Sequence, residues 1–257
     1  MKWSDFLMSK VKIYVGVGHG GGDSGAVNGK RRECDDTLRL ALKVRDCFKG
    51  QPAEVKFSRL SDSGLTISQR CREANSWGAD YFISLHRNSA SPDASGVEAY
   101  VYSKANEYTY AKAKVINDNV AKAMGVQNRG VRKGAADRFT DFGVNKQTNM
   151  HSCLLEVGFI SSAKDNKAYD ENLDKIAKAI VISTMSVCGV DYVEPIKKGD
   201  VNGDGKVTAD DARKALRASA RLENLNEKEK SAADINGDGK VTADDARTIL
   251  RKSARLE

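Results

Sequence analysis

The chain has 257 residues, of which 40% are hydrophobic and 30% charged, and a formal net charge of +7. These values suit a globular domain of ordinary size with a small second one, and no apolar run approaches the roughly 18–20 residues of a membrane span. The positive excess is spread along the chain and is not interleaved with aromatic residues, so nucleic-acid binding has no motif behind it.

The amino terminus, MKWSDFLMSK, carries only the apolar triplet Phe6-Leu7-Met8. A secretory signal needs an apolar stretch of roughly 7–15 residues and a small-residue cleavage site. The expectation is a chain made in the cytoplasm and released by some other route. Short apolar or β-branched runs at 11–17, 55–59, 81–85, 97–102 and 153–157 read as strands. Between them, 33–48, 66–77, 108–124 and 165–187 read as helices; in the first, Leu38, Ala41, Leu42 and Phe48 are expected on one face. Such alternation predicts an α/β fold with a mostly parallel sheet flanked by helices. The five cysteines, Cys34, Cys47, Cys71, Cys153 and Cys188, are odd in number and have no CxxC spacing, so buried reduced thiols are expected.

Residues 190–199 contain a proline and read as a linker between a domain at 1–189 and a module at 200–257. The module is an internal repeat: DVNGDGKVTADDARKALRASARLE from Asp200 returns as DINGDGKVTADDARTILRKSARLE from Asp234. No aromatic residue follows Tyr192, so this segment has little to bury and needs a staple such as metal ions. Its expected apolar faces are Val207, Ala212, Ala215 and Leu216, then Val241, Ala246, Ile249 and Leu250.

Only three histidines occur, so their positions are informative. His19 lies just past the first strand, His86 at the end of another, and Glu156 in the run CLLEVGF. Ligands of open α/β sheets gather at the carboxyl ends of the strands. Glu33 opens a helix after a glycine-rich loop that can fold it back beside His19. Two histidines and a carboxylate, with a fourth position left to water, form one type of catalytic zinc site, and a second carboxylate outside it can serve as general base.

The segments GHGGGDSGAVNGKRRE, SQRCREANSWGADYFISLHRNS and LLEVGFISSAKDN resemble the signature regions of the zinc N-acetylmuramoyl-L-alanine amidases of bacterial autolysins and phage endolysins. The resemblance spans 11–188. It implies a central six-stranded sheet, zinc on His19, Glu33 and His86, and a catalytic Glu156. The substrate it implies is bacterial peptidoglycan, cut at the amide between N-acetylmuramic acid and the L-alanine of the stem peptide. Asn88 is a candidate substrate contact, Arg70 and Asn75 stay open between structure and cleft, and His151 is expected to be structural. Relatives often have proline where this chain has Asn149-Met150-His151, which leaves the floor of the cleft open. Without a secretory signal the endolysin type, acting at the wall after release, is favoured.

Gly16-Val17-Gly18-His19-Gly20-Gly21 also satisfies the dinucleotide pattern GxGxxG. That pattern needs a helix opening at its third glycine, and Gly22, Asp23, Ser24 and Gly25 oppose one. A zinc endopeptidase acting within the stem peptide is a further reading that zinc chemistry alone leaves open.

In the repeat, Asp200, Asn202 and Asp204 fall at positions 1, 3 and 5 of an EF-hand-type loop, Gly205 at the sharp turn, the Lys206 carbonyl at 7, Thr208 at 9 and Asp211 at 12. Asp234, Asn236, Asp238, Gly239, Lys240, Thr242 and Asp245 repeat the set. Position 12 is aspartate, not glutamate, and no helix leads into the first loop. In both respects the module resembles dockerins, which implies two calcium ions and a cohesin-type partner. Self-association through the near-identical copies is the other expectation, and a protein that is chiefly a binding module is the competing class.

Overall fold

The computed structural model describes residues 10–135 and 140–256. They form two compact units, divided between Val193 and Glu194. The boundary falls inside the segment read as a linker: Val193 exchanges two hydrogen bonds with the Gln51 side chain, whereas Gly199 N–H donates to Ala232 O.

In the first unit, β1 (Val11–Val17) is followed by a short hairpin of β2 (Val27–Asn28) and β3 (Arg31–Arg32), then α1 (Glu33–Phe48). Next come β4 (Ala53–Phe57), α2 (Ile67–Trp77), β5 (Tyr81–Asn88) and β6 (Val97–Val101). The unit closes with α3 (Glu107–Met124), β7 (Asn128–Lys133), α4 (Gly143–Lys146), β8 (His151–Phe159) and α5 (Ala163–Val187). The six-stranded sheet has the order β4-β1-β5-β8-β6-β7. Every neighbouring pair is parallel except β6 with β8.

The pleat sorts the strands' side chains onto two faces. Odd-numbered residues such as Ile13, Val15, Ile83, Leu85, Leu155 and Val157 join the larger core with residues of α1, α3 and α5. Even-numbered Tyr14, Phe82, Tyr100 and Leu154 pack with Cys71 and Ala74 of α2 and Val144 of α4. Each fully buried aliphatic side chain contributes roughly 1.5–3 kcal/mol, so the odd face supplies most of the cohesion. The even face is covered more thinly, and that leaves room for a cleft at its carboxyl edge.

Three expectations need adjusting. The buried stripe of α1 runs through Thr37, Leu40, Ala41, Val44 and Phe48, while Leu38 and Leu42 are half-buried, a rotation of about one position. The strand expected at 55–59 lies at Ala53–Phe57, because Arg59 leaves the ladder to bind the loop after β1. Cys34, Cys71 and Cys153 are buried, but Cys47 and Cys188 only partly; all five are free thiols.

The second unit holds α6 (Ala209–Ser219), α7 (Glu227–Ala233) and α8 (Ala243–Ser253). Thr208 with Asp211, and Thr242 with Asp245, form capping boxes that start α6 and α8. Val201, Ala212, Ala215, Leu225, Ala233, Ala246 and Ile249 form the small core. Leu216 and Leu250, expected in the apolar faces, are instead about half exposed, at 50% and 49%. No helix among the described residues is long and apolar enough to cross a membrane.

Candidate metal centre and active site

The site straddles the carboxyl edge of the sheet. His19 follows β1 with φ of 58°, in a loop whose backbone Gly20 and Asp23 bridge. His86 comes from β5, on the same face of the sheet as Tyr14 and Phe82. Glu33 is the first residue of α1, which packs on the opposite face and reaches over the edge. His19 Nε2 lies 3.1 Å from Glu33 Oε2, and His86 Nδ1 lies 2.9 Å from Glu33 Oε1. The two rings stand edge to face, 5.0 Å apart. Among the described residues, these are the one set of three His, Cys or carboxylate donors close enough to share an ion, with ligand atoms within 4.8 Å of one another.

The glycines of the loop serve this geometry. A Cβ on Gly25 would sit 2.6 Å from both Glu33 Oε2 and the His19 ring, and one on Gly18 would sit 2.6 Å from the His86 ring. The helix opens at Glu33, not at Gly21, so the dinucleotide pattern is not realised. Arg59, buried, holds the loop to α1 by donating to Gly18 O, Cys34 O and Thr37 Oγ1.

Backbone N–H groups of Ala26 and Arg87 donate to Glu33 at 2.9 and 3.0 Å. Burial pushes the Glu33 carboxyl up, but the two imidazoles outweigh it and hold it well below the usual carboxylate range. Burial likewise pulls His19 down, and Glu33 with Asp23 raises it above the ordinary histidine value. At His86 burial prevails over Glu33 and lowers it. Asp23 Oδ2 accepts a hydrogen bond from His19 Nδ1–H at 2.8 Å, while its Oδ1 accepts from Gly25 N–H at 2.9 Å. That contact turns Nε2 toward Glu33. Asp23 was not singled out from the sequence, where an aspartate among glycines reads as a turn former.

Glu156 stands beside the triad on β8, paired in register with His86 on one side and Glu98 on the other. Among the described residues its Oε2 is buried with no hydrogen-bond partner. Burial, then Glu33 and Glu98, push its carboxyl well above the usual range. Glu98, also missed from the sequence, accepts from Asn88 Nδ2, Tyr100 Oη and Arg129 Nε. Asn88 lines the cleft with its amide engaged by Glu98 and by Ser89 N–H. Arg70 lines it too. Asn75 braces the turn before β8 instead, bonding Gln147 O and Asn149 N. His151 sits at the far, amino-terminal end of β8 against Thr109 and Tyr108. The cleft, about 460 Å³, is completed by apolar residues including Leu65, Ile67, Phe142 and Leu154.

In the second unit the loops are ordered by their own side chains. Asp200 accepts from Gly203 N and Gly205 N, Asn202 from Asp204 N, and Asp204 from Lys206 N. Asp234, Asn236 and Asp238 repeat these bonds with Gly237, Gly239, Asp238 and Lys240. Asp211 and Asp245 spend both oxygens on capping and on the N–H groups of Val201 and Ile235. The turn residues Gly205 and Gly239 have φ of 85° and 83°.

The first unit is thus an α/β domain with a histidine–glutamate–histidine set able to hold a metal ion, beside a buried carboxylate that has no partner among the described residues, at the carboxyl edge of its sheet. Within it, residues 13–183 match the family model for N-acetylmuramoyl-L-alanine amidase, and the chain belongs to that family. Residues 198–252 match the dockerin type I domain, which the chain carries at its carboxyl end. The N-acetylmuramoyl-L-alanine amidase CwlM of Bacillus licheniformis is 34% identical over 157 residues, covering 60% of this chain and 59% of CwlM. The endolysin of Bacillus phage SPP1 is 35% identical over 167 residues, covering 63% of this chain and 58% of the endolysin. This chain therefore spans less than two thirds of either relative. The catalytic domain of CwlV, an N-acetylmuramoyl-L-alanine amidase from Bacillus (Paenibacillus) polymyxa var. colistinus, is 32% identical. It superposes with a TM-score of 0.64 over 70% of this chain and 99% of its own.

Proposed function

We propose that the first unit is a zinc-dependent peptidoglycan hydrolase that cuts the amide between N-acetylmuramic acid and the L-alanine of the stem peptide. The observation that carries this reading is the cleft in which His19, Glu33 and His86 converge beside the unpartnered Glu156 carboxylate. The donor set fits zinc: two imidazole nitrogens and one carboxylate oxygen, with donors close enough to share an ion and the cleft open on one side. Bound there, zinc supplies Lewis acidity, polarising the scissile carbonyl and lowering the pKa of water.

The chain's own residues do the rest. Glu33 ties two ring nitrogens and two backbone N–H groups into one frame, so the donors are preorganised. Glu156 takes a proton from the attacking water and passes it to the departing alanine nitrogen. A buried carboxyl raised above its ordinary value suits that exchange, because a general base works best with a pKa near the working pH. The apolar wall of Leu65, Ile67 and Phe142 limits competing water. Asn88, at the cleft, is a candidate contact for the substrate.

The same proposal assigns calcium to the two loops, through Asp200, Asn202, Asp204, Lys206 O and Asp211, and through Asp234, Asn236, Asp238, Lys240 O and Asp245. It makes a cohesin-type protein the partner of the module, and the bacterial wall the place of action, as for an endolysin. Digestion of purified peptidoglycan tests the central claim. New L-alanine amino termini with intact glycan strands are expected. New reducing ends would show a glycosidase, and new amino termini elsewhere in the stem an endopeptidase.

A further inference from the structure

The cleft holds a second unsatisfied group, and it is a cation. Arg70, near the start of α2, is nine-tenths buried on the cleft wall, at 6% exposure. Among the described residues its guanidinium reaches one acceptor, the carbonyl of His19, at 3.3 Å from Nη2. Among the same residues no carboxylate lies within ion-pair distance of it, and its Nε is buried without a partner. A guanidinium has five N–H donors. Arg87, still more deeply buried on the other face, shows how this fold satisfies such a group. Arg87 donates to Asp36, Asn166 and Gly158 O and lies over the Tyr169 ring. Arg70 has none of this, and burial presses its charge down.

Position says what would complete it. Arg70 is bonded to the backbone of one proposed zinc ligand, His19, and lines the same cleft as the other two. The carboxyl group of Glu156 and the donor-only group of Arg70 thus line one cleft, each with a buried atom that has no partner among the described residues. Resting on the amidase reading above, we propose that Arg70 donates hydrogen bonds to the substrate's scissile carbonyl oxygen as that oxygen becomes negative.

When water adds to the lactyl carbonyl carbon, the C–O π pair moves onto this oxygen. The C–N bond then breaks, the nitrogen leaves with the proton carried by Glu156, and the oxygen remains as part of the product carboxylate. Arg70 thereby holds both the developing charge and the carboxylate of the acid product. The role is that of a preorganised donor, whose removal costs on the order of 10²–10³ in kcat.

The test uses the zinc-loaded full chain, a soluble muramyl peptide, and the variants Arg70→Met and Arg70→Lys. Arg70→Met is expected to lose about 10²-fold or more in kcat with KM nearly unchanged, and Arg70→Lys to recover part of it. Titration calorimetry gives a readout without turnover. N-acetylmuramic acid, which bears the lactyl carboxylate, should bind Arg70→Met at least about tenfold more weakly than wild type. N-acetylglucosamine, which lacks the carboxylate, should not distinguish them. Zinc affinity, from competition with a chelating dye, should stay the same.

A loss confined to KM would make Arg70 an anchor for another part of the stem, and a loss of zinc affinity would make it a prop for the His19 loop. Either result overturns the inference, as does unchanged kcat with unchanged N-acetylmuramic acid binding. Should Arg70→Met fail to fold, Arg70→Lys and Arg70→Gln carry the same comparison. Wild-type protein that released no L-alanine termini would overturn the amidase reading itself, whereas active wild type with indifferent Arg70 variants overturns only this role.

Discussion

Glu156 and His86 are direct partners in the parallel register of β5 and β8, so their side chains rise side by side from one face of the sheet. The register, not loop flexibility, sets the distance between a proposed zinc ligand and the proposed base. Strand-borne groups keep such geometry better than loop-borne ones.

The first prediction follows from that pairing. Glu156→Gln keeps the shape and removes the proton acceptor. Turnover of a muramyl peptide should fall by about 10²–10⁴-fold, while bound zinc, measured by elemental analysis, stays near one per chain. Near-normal turnover would remove Glu156 from the mechanism, and loss of zinc would make it a ligand.

The same residue sets a pH dependence in the metal-free protein. The folded-state pKa of Glu156 is raised, by burial first and by Glu33 and Glu98 after it. A raised acid contributes stability that is fully present below its unfolded value, near 4.5, and lost as pH rises through the folded value. Metal-free Glu156→Gln should therefore melt higher than metal-free wild type at pH 7, by about 2–4 °C for each kcal/mol regained. At pH 4 the two should coincide. Trp fluorescence follows this unit alone, since no aromatic residue occurs after Tyr192. A gap that persisted at pH 4 would mean the glutamine acts through packing.

Asp23 supplies a third test. Its carboxylate accepts a hydrogen bond from His19 Nδ1–H and is itself pinned by Gly25 N–H. Partners of this kind fix the tautomer of a metal-binding imidazole, and losing them typically costs 10–100-fold in metal affinity or activity. Asp23→Asn should weaken zinc binding by about that factor in dye competition and leave the metal-free fold intact. Unchanged affinity would reduce Asp23 to a turn residue.

The contrast between His19 and Asp23 shows why the sequence was legible in some places and not in others. Histidine is scarce here, and a histidine just past a strand end has few structural reasons to be there, so His19 and His86 stood out. Aspartate among glycines has an ordinary explanation, and only coordinates separate that role from an orienting one. Arg59 ended an apolar run, so it read as strand, although it leaves the ladder to hold Gly18 and Cys34. Strand β7, NRGVRK, carries three cationic residues on an edge and lacks the alternation that marks a half-buried strand. The antiparallel step between β6 and β8 is a property of topology, invisible to local periodicity. In the repeat, helical spacing put Leu216 and Leu250 with the core, but α6 and α8 bury mainly alanines, and both leucines fall outside that narrow contact.

That narrow contact leads to the last prediction. The second unit buries Val201, Leu225 and Ile249 with four alanines, and it has no aromatic ring. Alanine burial contributes little beside that of leucine or phenylalanine, so this core alone is a weak source of stability. Each loop also carries charge that must be balanced. Asp200 and Asp204, with Asp234 and Asp238, are held by backbone N–H groups, which orient the carboxylates without neutralising them. Calcium takes six to eight oxygen ligands, and because the unfolded chain lacks a preformed site, its binding energy becomes folding energy. Free calcium at a hundred times its Kd gives a linkage of about 2.7 kcal/mol, or a hundredfold in the opening equilibrium, for each site that binds only the folded form. Hydrogen exchange on the full chain should therefore show amides of α6 and α8 losing at least about hundredfold protection when EGTA replaces calcium. Amides of α1, α3 and α5 should keep theirs, because they belong to the separate core of the sheet. Equal protection of α6 and α8 with and without calcium would mean that the alanine core suffices and that the loops do not couple ion binding to folding.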